Sequence, residues 1–167
     1  LDAAGKAIGN RVVATYDFGD VRAILSRTNL YNTNIRKQLA ERLFDQAAGS
    51  VEDIDARILA LAKNAAEGQP IDWPLAEPLL ARKHPVTPEH PHGTHVAGIL
   101  GGNWDGTGNG ASAVIGVCPD IRLFDLRVLG PSAEQTEFTV IAALQFVRHL
   151  NSRNGRSIID GVNLSLS

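Results

Sequence analysis

The sequence predicts an α/β fold, a parallel sheet joined by crossover helices, with a helical hairpin inserted between two of its strands. Three observations carry this expectation. Short runs rich in β-branched and aromatic residues occur at 11–18, 121–129 and 158–166. Between them lie stretches with helical spacing, and a strand–helix–strand–helix–strand order is what parallel strands require, because a tight turn cannot connect them. The third observation is a pair of adjacent amphipathic patterns over residues 34–68, outside that alternation.

In chain order, "RVVATYDF" (11–18) reads as a strand stopped by Gly19 and Asp20. From Asn34, Ile35, Leu39, Leu43, Phe44 and Ala47 recur on one helical face as far as Gly49. Ser50 and Asp53 have the form of a capping box, and Ile54, Ile58, Leu61 and Ala65 extend a second apolar stripe to Gly68. Together these give the hairpin insertion, 34–68. Residues 69–91 carry six prolines, which remove backbone donors and fix dihedrals, so this stretch reads as an extended surface connection leading to His92. Val96, Ile99 and Leu100 then form a short helical face, with Ala97 and Gly98 allowing close approach, before the glycine-rich "GGNWDGTGNGA". "IRLFDLRVL" (121–129) is the next strand. "EFTVIAALQFVRHL" (137–150) is a helix with Val140, Leu144 and Val147 inward, and "IIDGVNLSL" (158–166) is the third strand.

Composition narrows the function classes. The chain has 167 residues, 44% hydrophobic, enough for one globular core. Sixteen basic against 18 acidic residues give a net charge of −2, which argues against a nucleic-acid or anionic-membrane partner. No apolar run approaches the roughly 20 residues that span a bilayer, and no signal segment opens the chain. The single cysteine, Cys118, makes no internal disulfide and does not fix the compartment. A chain that begins at Leu1 and contains no methionine reads as a piece of a longer product.

The densest chemistry is "HPHGTHVAGILGGN" (90–103), with histidines at 90, 92 and 95. As a metal site the spacing is poor: the pairs lie at i+2, i+3 and i+5, whereas helical zinc sites pair histidines at i+4. A polar entry to a helix is the plain alternative. The cluster does not stand alone, however. "HGTHVAGIL", "GVCPDIRLFDLRVLG" and "GVNLSLS" resemble, in order and near-matching spacing, blocks of the subtilisin-like serine peptidases, the subtilases, across residues 92–167. "VVATYDF" is also similar to the strand that commonly precedes the histidine block.

The resemblance implies a partial subtilisin-like fold and a serine endopeptidase acting on protein or peptide substrates. Such an enzyme needs a base titrating near neutrality to move the serine proton, and His92 takes that role by resemblance. Gly93 would allow close packing beside it, the Thr94 hydroxyl would satisfy a backbone group near the helix start, and His95 would be structural support. Ser165, Leu166 and Ser167 resemble the edge that pairs with substrate main chain, and Leu129 and Gly130 the start of the adjacent wall. Ser167 stands where the family usually has glycine. Cys118 stands where alanine is common, which implies a small buried side chain.

Departures from the pattern matter equally. The family's acidic member ends a strand as DTG or DSG, and neither occurs; Asp17 in "YDFG" is the nearest imitation, with bulky Phe18 where a small residue belongs. The expectation is therefore an aspartate preceding Leu1. No GTSMA-like nucleophile segment is present either, so this chain alone should be inactive and needs the rest of a parent catalytic domain. No cofactor is implied. Asp105 and Asn109 offer oxygens for a structural calcium, although turn chemistry explains the same loop. A secreted parent is compatible with the resemblance, but nothing in the sequence sets the location. The competing classes are a non-catalytic peptide-binding module on a degenerate fold of this type, and the metal-binding domain.

Overall fold

The computed structural model describes residues 11–45, 47, 49–83, 91–104, 114–153 and 155–166. Its elements are β1 (Val12–Asp17), α1 (Val21–Ile24), α2 (Thr28–Tyr31), α3 (Thr33–Phe44), α4 (Val51–Ala66), α5 (Trp73–Leu80), α6 (His92–Gly101), β2 (Asn103–Trp104), β3 (Val114–Ile115), β4 (Leu123–Arg127) and α7 (Ala133–Arg153). The fold is mixed α/β. β1 and β4 form a parallel two-stranded sheet, and β2 and β3 an antiparallel pair with Asn103 opposite Ile115 and Trp104 opposite Val114. The chain divides into two compact units: residues 1–14, 86–125 and 161–167 in the first, and 15–85 and 126–160 in the second.

All the buried apolar side chains of the described residues belong to the second unit. They come from the end of β1 (Tyr16), from Phe18 and Ala47, and from α1, α3, α4, α5 and α7. Phe146 is fully buried, with ring centroids 4.7 Å from Tyr16, 5.7 Å from Phe18 and 5.4 Å from Trp73. Tilted and edge-on aromatic contacts of this kind add to the burial of the rings themselves. The helical pair 34–68 is thus part of a core. Leu39, Leu43 and Ala47 bury on one side, and Ile54, Ile58, Leu61 and Ala62 on the other.

Local signals explain why these helices start and stop where they do. Asn32 caps α3 by accepting from the Ile35 amide at 3.1 Å. Both bonds of the predicted capping box form: the Asp53 amide donates to Ser50 Oγ at 3.2 Å and the Ser50 amide to Asp53 Oδ2 at 3.1 Å. Those Ser50 donors hold the Asp53 carboxyl below its usual range. Gly68 ends the α4 segment at φ 75°, which a β-carbon would strain.

Four expectations fail here. The stretch 69–91 is not extended throughout. Asp72 caps α5, Pro74 sits in the first turn where its missing amide costs nothing, and Trp73, Ala76, Leu79 and Leu80 are buried. On α3, Ile35 and Phe44 are about half exposed. On α7, Val147 is buried as expected, but Leu144 points outward, and the rest of the buried face is Thr139, Ala142, Ala143, Phe146 and Leu150. The segment 158–166 pairs in no strand among the described residues, and Val162, Leu164 and Leu166 are exposed. Its apolar alternation is strand-like, but a strand exists only where a neighbour takes its backbone groups.

Two outcomes follow for the second unit. Phe146→Ala should lower its stability by about 3–5 kcal/mol, read from urea unfolding, because the ring it removes is the one shared by three other aromatic side chains. Tyr16 donates to Glu77 Oε1 at 3.2 Å, and burial first, then the Glu77 charge, push its hydroxyl from 10.0 up to about 12. A group with a raised folded-state value contributes stability that is complete below pH 10 and is lost as pH rises toward 12. Tyr16→Phe should flatten that alkaline decline in denaturation midpoints.

Candidate active site

The first unit carries most of the residues singled out by sequence. His92 is the opening residue of α6 and is half-buried. The helix has Pro91 at its N-cap, which supplies no side-chain cap. The His95 amide donates to the Pro91 carbonyl at 2.9 Å, which closes the first turn.

The far end of α6 is held by the chain that returns after the loop. Amides of Val117 and Cys118 donate to the Ile99 and Leu100 carbonyls at 3.0 and 2.8 Å, and Arg11 Nη1 donates to the Gly101 carbonyl at 2.8 Å. The Gly116 amide takes the Gly102 carbonyl at 2.7 Å. These are the groups that a helix end leaves without internal partners.

Glycines make this crossing close enough to bond. A β-carbon on Gly116 would lie 2.6 Å from the Gly102 amide nitrogen, and one on Gly102 2.6 Å from the Gly98 carbonyl oxygen. On Gly101 it would meet Ile121 at 2.7 Å. By contrast, β-carbons on Gly93 and Gly98 meet nothing within 4 Å. The close packing expected at Gly93, and at Gly98, therefore belongs instead to Gly101, Gly102 and Gly116. Sequence reasoning missed these three because glycines in a glycine-rich loop read as turn formers; the signal available was their position at both ends of that loop.

Thr94 and His95 edge an open cleft of about 630 Å³, together with Pro91, Gly98, Ile99, Val114, Ile115 and Val117. Its floor is apolar, with Ile99, Val114, Ile115 and Val117 between 54% and 85% exposed. Ser165 and Leu166 do not line it; both are exposed, and Asn163 Nδ2 donates to Ser165 Oγ at 2.9 Å. Ser167, His90, Asp105 and Asn109 lie outside the described residues. Among the described residues no group of three or more histidine, cysteine or acidic side chains is disposed to hold a metal ion. Cys118 corrects another expectation: it is exposed, and its amide donates to the Leu100 carbonyl.

In the second unit, Leu129 is 65% exposed and the Gly130 amide donates to Thr136 Oγ1 at 3.1 Å, at the entrance to α7. Asp17 ends β1 in that unit. Its Oδ2 lies 2.9 Å from Arg82 Nη2 and its Oδ1 accepts from the Gly19 amide at 2.9 Å.

His92 heads α6, and His95, one turn on, is the histidine that lines the open cleft of this mixed α/β chain. Residues 78–167 match the family model described as the subtilase family, and the chain, more than half of which is covered, belongs to that family of serine peptidases. No curated protein and no solved structure matches the chain. No helix among the described residues is long and apolar enough to cross a membrane.

The glycine crossing is directly testable. Gly116→Ala should destabilise the first unit by about 1–3 kcal/mol, since the added carbon meets only backbone. Gly98→Ala, in open space within the same helix, should be neutral or stabilising by about 0.5–1 kcal/mol. Hydrogen-exchange protection of the Val117 and Cys118 amides reads both.

Proposed function

We propose that this chain is part of the catalytic domain of a subtilisin-like serine endopeptidase, in which His92 takes the proton from a serine hydroxyl as it attacks a peptide carbonyl and returns it to the leaving amine. The observation that carries the reading is the placement of His92: half-buried, first in a helix whose other end is anchored by four hydrogen bonds to flanking backbone and side chain. A base must be held in position to within a fraction of an ångström, and a tethered helix does this better than a loop. Thr94 and His95 support it from the same turn.

Substrate binding is assigned to Ser165, Leu166 and Ser167 as an edge for an extended peptide, with Leu129 and Gly130 as a further contact surface. Support comes from the unpaired state of residues 161–166, whose exposed backbone suits strand addition by a substrate. Because the chain holds no GTSMA-like segment, it does not hydrolyse peptides alone; the nucleophile and the oxyanion donor come from other polypeptide of the same enzyme.

In the assembled enzyme, His92→Ala should lower kcat by about 10⁶-fold with the fold retained by circular dichroism, a loss of the size typical for a triad base. Retained turnover refutes the assignment of His92 as the base. Asp17→Asn in the same assay settles the carboxylate. A fall of about 10⁴ in kcat makes Asp17 the acidic partner, whereas unchanged turnover puts that partner elsewhere.

A further inference from the structure

The second unit holds a separate open cleft of about 620 Å³, whose walls include Asp17, Arg22, Arg42, Arg82, Pro131 and Gln135. Three arginines face it, each engaged through one Nη2 nitrogen: Arg22 with Glu134, Arg42 with Asp20 and Arg82 with Asp17. Arg22 and Arg42 are about half exposed and keep their remaining donors in water. Arg82 differs, because its side chain is only 10% exposed and its Nη1 is buried without a hydrogen-bond partner. Gln135, another lining residue, likewise has its Oε1 buried without a hydrogen-bond partner.

Two residues that line a single cleft thus each hold a buried polar atom without a partner, a donor on Arg82 and an acceptor on Gln135. Buried polar atoms without partners are uncommon, and they mark places where a partner belongs. A carboxylate would answer Arg82 but set a second oxygen against Gln135 Oε1. A carboxamide answers both, since its carbonyl accepts and its amide donates from adjacent atoms in one plane. Gln135 also touches the substrate surface proposed above: a β-carbon on Gly130 would lie 2.9 Å from Gln135 Cβ. Neither orphan is open to water in the free chain, so binding requires both side-chain ends to turn toward the cleft that they border.

We infer that this cleft is a specificity subsite for the side chain of an asparagine or glutamine in a peptide, held between Arg82 Nη1 and Gln135. The inference rests on the peptidase reading only in taking a peptide as the ligand. Its test is equilibrium binding to this chain, without turnover, so its failure is distinct from a failure at His92. Four alanine-rich hexapeptides, carrying Asn, Gln, Asp or Ala at one position, are titrated by calorimetry. The Asn or Gln peptide should bind about tenfold more tightly than the Asp and Ala peptides.

Gln135→Leu should erase that preference. Arg82→Lys, which keeps a cation beside Asp17 but removes the second nitrogen, should do the same, with an unchanged amide fingerprint spectrum showing that the fold is intact. Equal binding of all four peptides, no binding of any, or a preference that survives both substitutions overturns the proposal. Tighter binding of the Asp peptide also overturns it and makes the cleft an anion site on its arginines.

Discussion

The end of α6 is the constraint on which the first unit depends. Any helix finishes with carbonyls that its own backbone cannot reach, and they must find donors or water. Here Val117, Cys118 and Arg11 supply the donors, which requires the returning chain to pass almost in contact with the helix. Glycine at 101, 102 and 116 is what lets it do so. A change at that crossing would be felt a helix length away, at His92. Each hydrogen bond is worth only about 0.5–1.5 kcal/mol net, but in a unit whose described residues include no buried apolar side chain, little else competes with them.

The two units are therefore built on different physics. The second has a conventional apolar core, fixed by Phe146 and completed by helices that the family resemblance does not cover. A polar latch runs through it. Arg36, 8% exposed, donates to Asp55 at 2.8 Å and to the Asn29 carbonyl at 2.7 Å, while Asn29 donates to the last carbonyls of α1. Buried charge is tolerable only with partners of this kind, and the pairing fixes how α2, α3 and α4 meet. The first unit instead presents Ile99, Val114, Ile115 and Val117 to solvent around its cleft. An apolar patch with a histidine on its rim is a surface made to be covered.

What the sequence made legible was local. The Ser50–Asp53 box, the stop at Gly68, the two paired strands and the helix after His92 each depend on a few neighbouring residues, and each is present. What it concealed depended on distant contacts. Six prolines suggested an extended connection, yet Pro74 fits the first turn of a helix whose Trp73 reaches Phe146. Of the branched residues expected inside α7, Val147 is buried and Leu144 is not, and Ala142 and Ala143 share the inner face with Phe146. The run 158–166 has the alternation of a strand, but alternation says which face is apolar and not whether a neighbour exists. For the candidate site, the family and the helix that begins at His92 could be read directly, whereas the glycines that anchor that helix could not.

Asp17 shows how the structure changes the weight of a sequence argument. In the linear pattern, Phe18 counts against it, because a small residue is expected after the acidic member. Along a strand, however, successive side chains point to opposite faces. Tyr16 and Phe18 are 8% and 0% exposed and pack on Phe146, so the residue between them is directed the other way. Asp17 accordingly keeps a 26% exposed side chain and lines the cleft with Arg82. The bulk of Phe18 is spent in the core and does not obstruct the carboxylate. What restrains Asp17 is electrostatic: Arg82 at 2.9 Å and the Gly19 amide already hold its two oxygens. Any role for this carboxylate in proton transfer thus turns on how firmly Arg82 keeps it, a matter of ion pairing rather than of the bulk that the sequence brings to notice.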